Sequence, residues 1–176
     1  MKFKEAVTYD DMLLVPQYSD ITSRSEVNIS SWLDGRLSLD LPIMASPMDT
    51  VSEVEMSVAM AKAGGLAVIH RYNTIPEQGQ LVSQAASDIS TSLTAAAVGV
   101  TGDYLERATT LVALGANVLC VDVAHGHHIM MKKALEQLRK TFGEDIYIIA
   151  GNVCTLEGVN DLADWGANAV RCNIGG

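Results

Sequence analysis

An α/β fold is what this sequence predicts: a (β/α)8 TIM barrel, of which 176 residues supply an N-terminal segment and about six strands. Three observations carry that expectation. From Pro42 onward, short apolar runs alternate with longer segments whose apolar residues recur at three- and four-residue spacing. The runs lack polar alternation, as strands covered on both faces do. And polar residues stand at the end of nearly every run, whereas a doubly wound sheet usually gathers its ligand at one switch point after a glycine-rich first turn.

Residues 1–30 read as irregular. Asp10-Asp11 is an acidic turn, and Met12-Leu13-Leu14-Val15-Pro16 an extended segment ended by proline. Ile21 to Val27 is a polar loop. Leu37-Ser38-Leu39-Asp40-Leu41 alternates, as one strand of a small hairpin does. Strands are then expected near Ile43–Ala45, Leu66–Ile69, Ala95–Val98, Val118–Val121, Ile146–Ala150 and Ala169–Arg171, each of the first five followed by a helical pattern. Thr74-Ile75-Pro76-Glu77 is a capping box with proline in the first turn. Gly64-Gly65, Gly115, Gly143 and Gly166 each follow a helical pattern and suit a left-handed terminating position.

A closed barrel needs eight such units and typically about 250 residues. Six strands cannot close, and an open barrel exposes two strand edges and an apolar interior. The expectation is a single barrel domain over residues 1–176 whose remaining strands follow in a longer chain or come from another one.

Composition narrows the function. Hydrophobic residues make up 48% of the chain, which argues against disorder. The net charge of −9 argues against nucleic-acid and anionic-membrane partners. No apolar run has transmembrane length, and Met1-Lys2-Phe3-Lys4-Glu5 lacks the apolar core of a signal peptide. Cys120, Cys154 and Cys172, odd in number and not closely paired, suit a cytoplasmic protein with reduced thiols; buried packing is the simplest reading for all three.

The densest stretch is Val118 to His127, an apolar strand that ends in Asp122, Val123, Ala124, His125, Gly126 and His127. Asp122 can accept hydrogen bonds from an amide or a ribose hydroxyl, or simply cap the next helix. His125, His127 and His128 match no standard zinc spacing. Arg71, after His70, can grip a phosphate or carboxylate. Asn152 is a ligand contact or a turn residue. Gly175-Gly176 allows close backbone approach.

Taken in order, these motifs resemble the IMP dehydrogenase / GMP reductase superfamily. The resemblance covers nearly the whole chain: Tyr9-Asp10-Asp11-Met12-Leu13-Leu14-Val15-Pro16, Ser23-Arg24-Ser25-Glu26-Val27, Ala45-Ser46-Pro47-Met48-Asp49-Thr50-Val51, His70-Arg71-Tyr72, Asp122 to His127, Ala150-Gly151-Asn152-Val153 and Arg171 to Gly176. The last looks like the start of the family's catalytic loop, with Asn173 in place of its first glycine. The catalytic cysteine of that loop is expected just after Gly176, and Cys172 is part of the strand before it. Several features resemble the reductase branch: Asp122-Val123-Ala124, Ser23-Arg24-Ser25-Glu26, and a direct join from Ser83 to Thr94 where most dehydrogenases carry a regulatory insert of over a hundred residues. Ala45-Ser46-Pro47-Met48 looks more like a dehydrogenase.

The resemblance implies a mechanism. A cysteine thiolate attacks C2 of the purine nucleotide; the reductase expels ammonia from GMP and takes a hydride from NADPH to give IMP, while the dehydrogenase passes a hydride from IMP to NAD⁺ and forms XMP by hydrolysis. It implies a purine site at Ser46, Met48, Asn152 and Arg171. Cofactor contacts would come from Arg71, Asp122, Val123, Ala124, Ile174 and Gly175, with Ser23 and Arg24 at the adenosine end, in a neighbouring subunit of a homotetramer. Gly175 would offer its carbonyl to a monovalent cation such as K⁺. The competing reading is a short, non-catalytic relative that binds nucleotide or pairs with a family subunit.

Overall fold

The computed structural model describes residues 7–88 and 93–173. A small antiparallel hairpin, β1 (Ser31–Trp32) with β2 (Ser38–Leu39), precedes six parallel strands joined by five helices. The strands are β3 (Met44–Ala45), β4 (Leu66–Ile69), β5 (Ala95–Val98), β6 (Val118–Asp122), β7 (Tyr147–Val153) and β8 (Ala169–Cys172). The helices are α1 (Val54–Lys62), α2 (Ile75–Asp88), α3 (Tyr104–Ala113), α4 (Ile129–Phe142) and α5 (Leu156–Asp164). Spatial order follows chain order, β3-β4-β5-β6-β7-β8, and every pairing is parallel. The sheet curls: residues of β3 and β8, its two outer strands, line one pocket. It is part of a (β/α)8 TIM barrel.

Unbroken apolar runs form these strands because both faces are covered. In β6, Val118 and Cys120 turn inward while Leu119 and Val121 turn toward the helices; Ala95 and Ala97 alternate in the same way with Ala96 and Val98 in β5. The outer layer packs Ile69, Leu119, Val121 and Ile148 against Val82, Leu111, Met131, Leu135, Leu138 and Leu162 of the helices. The inner layer holds Val68, Ala97, Cys120 and Ile149 together with Leu37 and Leu39 from the hairpin segment. That packing corrects the expectation of an exposed apolar interior. Leu37 and Leu39 are themselves buried, and the inward residues of the middle strands stay dry although the barrel is open. The exposure falls on the outer strands: β8 is partly exposed throughout, and Ile43 is exposed just outside β3.

The capping box forms as its sequence predicts. Thr74 Oγ1 accepts from Glu77 N (3.4 Å), and the Glu77 carboxylate accepts from Thr74 N (2.8 Å) and Oγ1 (2.7 Å). Thr74→Ala is expected to cost about 1 kcal/mol, read as a lower melting temperature with unchanged ligand affinity. Gly64, Gly115, Gly143 and Gly166 take positive φ after their helices; Gly65 does not. Residues 7–30 are exposed, with Leu13 and Leu14 more than nine-tenths so. No described helix is long and apolar enough to cross a membrane.

Two readings of single residues need correction. Cys120 is buried, but Cys154, just after β7, and Cys172, at the end of the outer strand β8, are exposed. Asp122 does not cap α4. The chain runs six residues further first, and the cap is His128, whose Nδ1 accepts from Met130 N (3.1 Å).

Candidate functional site

Asp122, Gly151 and Arg171 stand in one rung across β6, β7 and β8. Side chains in register on a parallel sheet point the same way, here toward the interior. Gly151 has none, so its neighbours reach each other above it: Arg171 Nη1 donates to Asp122 Oδ1. The pair is only partly exposed, 25% for Arg171 and 19% for Asp122, which strengthens its attraction over that of a surface pair. A Cβ on Gly151 would lie 2.7 Å from both the Cβ and the carbonyl oxygen of Arg171, so the bridge and the strand spacing both require glycine there.

Below this pair lies Cys120, with Arg171 Nη1 3.9 Å from its sulfur. Burial pushes the Cys120 thiol up to about 12, against a smaller lowering from Arg171. It is therefore neutral near neutral pH and a poor nucleophile. Tyr147, in the same inner layer, is likewise raised to about 12 by burial and by the charge of Asp34. Both groups keep their protons in the folded state where the unfolded chain releases them. Their contribution to stability is thus complete below about pH 9 and declines as the pH rises toward 12. Cys120→Ala is expected to flatten that alkaline decline by about 1.4 kcal/mol per pH unit, measured by denaturant titration between pH 9 and 11.

A pocket of about 360 Å³ opens at the C-terminal end of the strands, lined by Tyr9, Ser46, Pro47, Asn152, Arg171 and Asn173 among others. Three of the four residues expected to hold a purine, Ser46, Asn152 and Arg171, thus meet in one place. Met48 does not line it; it is half exposed in the loop after β3. Asn152 Nδ2 donates to Asn173 O (2.7 Å), and Asn173 N donates to Val153 O (2.8 Å). Asn173 has φ +74°, so asparagine takes here the left-handed backbone that glycine adopts most readily.

The loop after β6 is tied to the end of β7. Val123 N donates to Gly151 O (3.0 Å), Asn152 N to Val123 O (2.8 Å) and Gly126 N to Asn152 O (2.7 Å). Val123 packs its side chain on the outer core, while Ala124 is exposed. A Cβ on Gly126 would lie 2.9 Å from Asn152 O, which explains a glycine the sequence reading left without a role. His127 Nε2 pairs with Asp161 Oδ2 (2.8 Å) and lies beside Trp165.

Arg71 reaches across the end of β5 to β6. Its Nη2 donates to Asp122 O (3.2 Å), and its guanidinium lies over Gly99, 3.6 Å from where a Cβ would stand. Its Nε is buried with no hydrogen-bond partner among the described residues. His70 is structural: Nε2 faces Glu53 Oε1 (3.1 Å) and Nδ1 accepts from Tyr72 N (3.2 Å). Ser23 and Arg24 stand in the exposed N-terminal segment; Ser23 caps a short turn formed by Arg24–Glu26, and neither lines the pocket. Ile174 and Gly175 lie outside the described residues.

The sequence now has a family to answer to. Residues 6–176 match the model of the IMP dehydrogenase / GMP reductase domain. The chain belongs to that family. Among its relatives, the GMP reductase of Mesoplasma florum is 31% identical over 172 residues, covering 97% of this chain and 52% of that protein. The GMP reductase of Streptococcus suis is 31% identical over 167 residues, covering 95% and 50%. The inosine-5'-monophosphate dehydrogenase of Nitrosopumilus maritimus is 27% identical over 297 residues, covering 99% and 62%. The chain spans about half the length of the relatives it matches.

Within the family frame, the motifs that suggested membership occupy strand ends: Ser46 after β3, Arg71 after β4, Asp122 ending β6 and Arg171 within β8. Sequence reasoning missed Tyr9 as part of the pocket wall and Gly151 as the gap that joins two charges. A glycine inside an otherwise apolar strand was the available signal for the second.

Proposed function

We propose that this chain is part of a GMP reductase, which converts GMP to IMP and ammonia at the expense of NADPH through a covalent cysteine–purine step. Family membership supports purine-nucleotide oxidoreductase chemistry. The observation that carries the reductase branch is the join between α2 and β5: helix ends at Asp88 and strand starts at Ala95, with no room for an inserted domain. The relatives differ in the length of this join, and the dehydrogenases of Borreliella burgdorferi and Cryptosporidium parvum, aligned over 220 and 212 positions, also lack a domain-sized insert. The reductases of M. florum and S. suis align over 172 and 167 positions, close to the length of this chain. The dehydrogenase of N. maritimus needs 297 positions to cover these 176 residues, leaving over a hundred without a counterpart here.

In this reading Ser46, Met48, Asn152 and Arg171 hold the purine nucleotide. Arg71, Asp122, Val123 and Ala124, with Ile174 and Gly175, hold NADPH, and Ser23 and Arg24 serve its adenosine end from a neighbouring subunit of a homotetramer. Gly175 gives its carbonyl to a monovalent cation. NADPH, when bound, supplies the hydride. The residues of this region suit an anionic dinucleotide: Arg71 offers a buried donor that no described protein atom uses. Arg171, held by Asp122, keeps its charge at the pocket wall without swinging into solvent. Asn152, tied to Asn173, offers its amide oxygen. Buried Cys120 does not serve as the nucleophile; that role falls to a cysteine after Gly176.

The second reading is an IMP dehydrogenase, favoured by Ala45-Ser46-Pro47-Met48. Absorbance of NADPH at 340 nm, followed with the full-length protein, separates the two. GMP-dependent loss of absorbance with ammonia release supports the reductase. NADH formation from IMP and NAD⁺, with no GMP-dependent loss, overturns it.

A further inference from the structure

The end of β4 leaves the sheet early. Val68 and Ile69 pair with Ala95 and Ala96, and the pairing with β5 ends there; His70 N, on the β3 side of the strand as Leu66 N is, donates to Ser52 O (3.3 Å). The carbonyl of Ala97 is met instead by a side chain of α2: Gln78 Nε2 donates to Ala97 O (2.9 Å) and approaches Ile69 O (3.5 Å). Gln78 is fully buried, so the direction of its amide matters. Arg107 of α3 sets that direction, donating from Nη1 to Gln78 Oε1 (2.8 Å). The same guanidinium donates from Nη2 to Asn73 O (3.1 Å) and to Asp103 Oδ2 (2.9 Å). Arg107 is 8% exposed, a buried cation with each contact on a different element.

Arg107 therefore holds the segment that follows Arg71. Asn73 is two residues beyond it, and Tyr72 between them is fixed by His70. Arg71 extends from this clamped segment over Gly99 to Asp122 O. We infer that Arg107, acting through Gln78 and Asn73, is a positioning residue that aims Arg71 at the anionic part of a nicotinamide dinucleotide. The inference rests on the proposed role of Arg71 as a dinucleotide contact and assigns its support to the helix layer. A lysine cannot reproduce it, since one ammonium cannot span three fixed acceptors in a plane.

The test is a double-mutant cycle on the full-length protein, with NADPH affinity measured by the fluorescence of the nucleotide and kcat measured at saturating GMP. Arg107→Met is expected to weaken NADPH binding by about tenfold while the KM for GMP moves by less than about threefold. Arg107→Lys is expected to recover part of the loss. In an Arg71→Met background, Arg107→Met is expected to change NADPH affinity by less than about twofold, since there is no longer an Arg71 to aim. Should Arg107→Met fail to fold, Gln78→Glu, which removes the donor to Ala97 O but keeps the acceptor for Arg107, takes its place in the cycle. Equal losses in both backgrounds, or unchanged NADPH affinity in a folded variant, would overturn the inference. NADPH binding with the expected coupling but no turnover of GMP would instead overturn the proposed reaction and leave this positioning role standing.

Discussion

Asp122→Asn in the full-length protein is expected to lower stability by about 2–3 kcal/mol and kcat/KM by at least about tenfold. Breaking a fully buried ion pair costs about 3–5 kcal/mol, because the remaining charge is left without its partner. Here each side chain keeps about a fifth to a quarter of its exposure, so water recovers part of that loss. Asparagine has the shape of aspartate and can still accept one hydrogen bond, but it cannot balance the guanidinium. Arg171 then has reason to leave the pocket wall, which is where the loss of activity arises. Arg171→Met removes the charge from the other side. The double variant is expected to be more stable than the sum of the single losses by about 2 kcal/mol, measured by denaturant unfolding. Strict additivity would mean that the two side chains do not depend on each other.

Gly151→Ala is expected to be more damaging still to the fold, by about 3 kcal/mol or more. The added methyl would meet Arg171 at 2.7 Å on both its Cβ and its carbonyl oxygen. Neither is the free end of a flexible chain. Relief requires β7 and β8 to separate, and with them the rung that brings Asp122 to Arg171. The variant should show a lower melting temperature together with loss of purine-nucleotide affinity. A variant with wild-type stability would place β8 elsewhere than beside β7.

Much of this fold could be read from the chain because hydrophobic pattern and helix-end signals agree along it. The runs at Leu66–Ile69 and Ala95–Val98 match their strands residue for residue, and the Thr74 box starts its helix. The limits were physical ones. Strand ends drifted where a polar residue continues the ladder, as Asp122 does in β6 and Asn152 in β7. Periodicity could not show that Leu37 and Leu39, from a segment before the repeat, would fill the inner layer. Cys154 and Cys172 looked buried because each sits in or beside an apolar run in sequence, yet both are exposed, at the ends of β7 and β8.

The site was legible as residue types and their order, less so as contacts. Ser46, Asn152 and Arg171 do share a pocket. That Asp122 answers to Arg171 depends on register across three strands, which a linear pattern does not encode. The clamp formed by Gln78 and Arg107 is likewise invisible in sequence, where both look like ordinary polar positions on helices.

The most direct measurement of the proposed reaction follows an isotope. The full-length protein is given GMP and NADPH carrying transferable deuterium at C4 of the nicotinamide, and the nucleotide product is weighed by mass spectrometry. The reductase reading predicts IMP one mass unit heavier, with deuterium at C2, and one ammonia released per nucleotide. Conversion of IMP to XMP with NAD⁺, together with no deuterated IMP from GMP, would contradict it and assign the chain to the dehydrogenase branch.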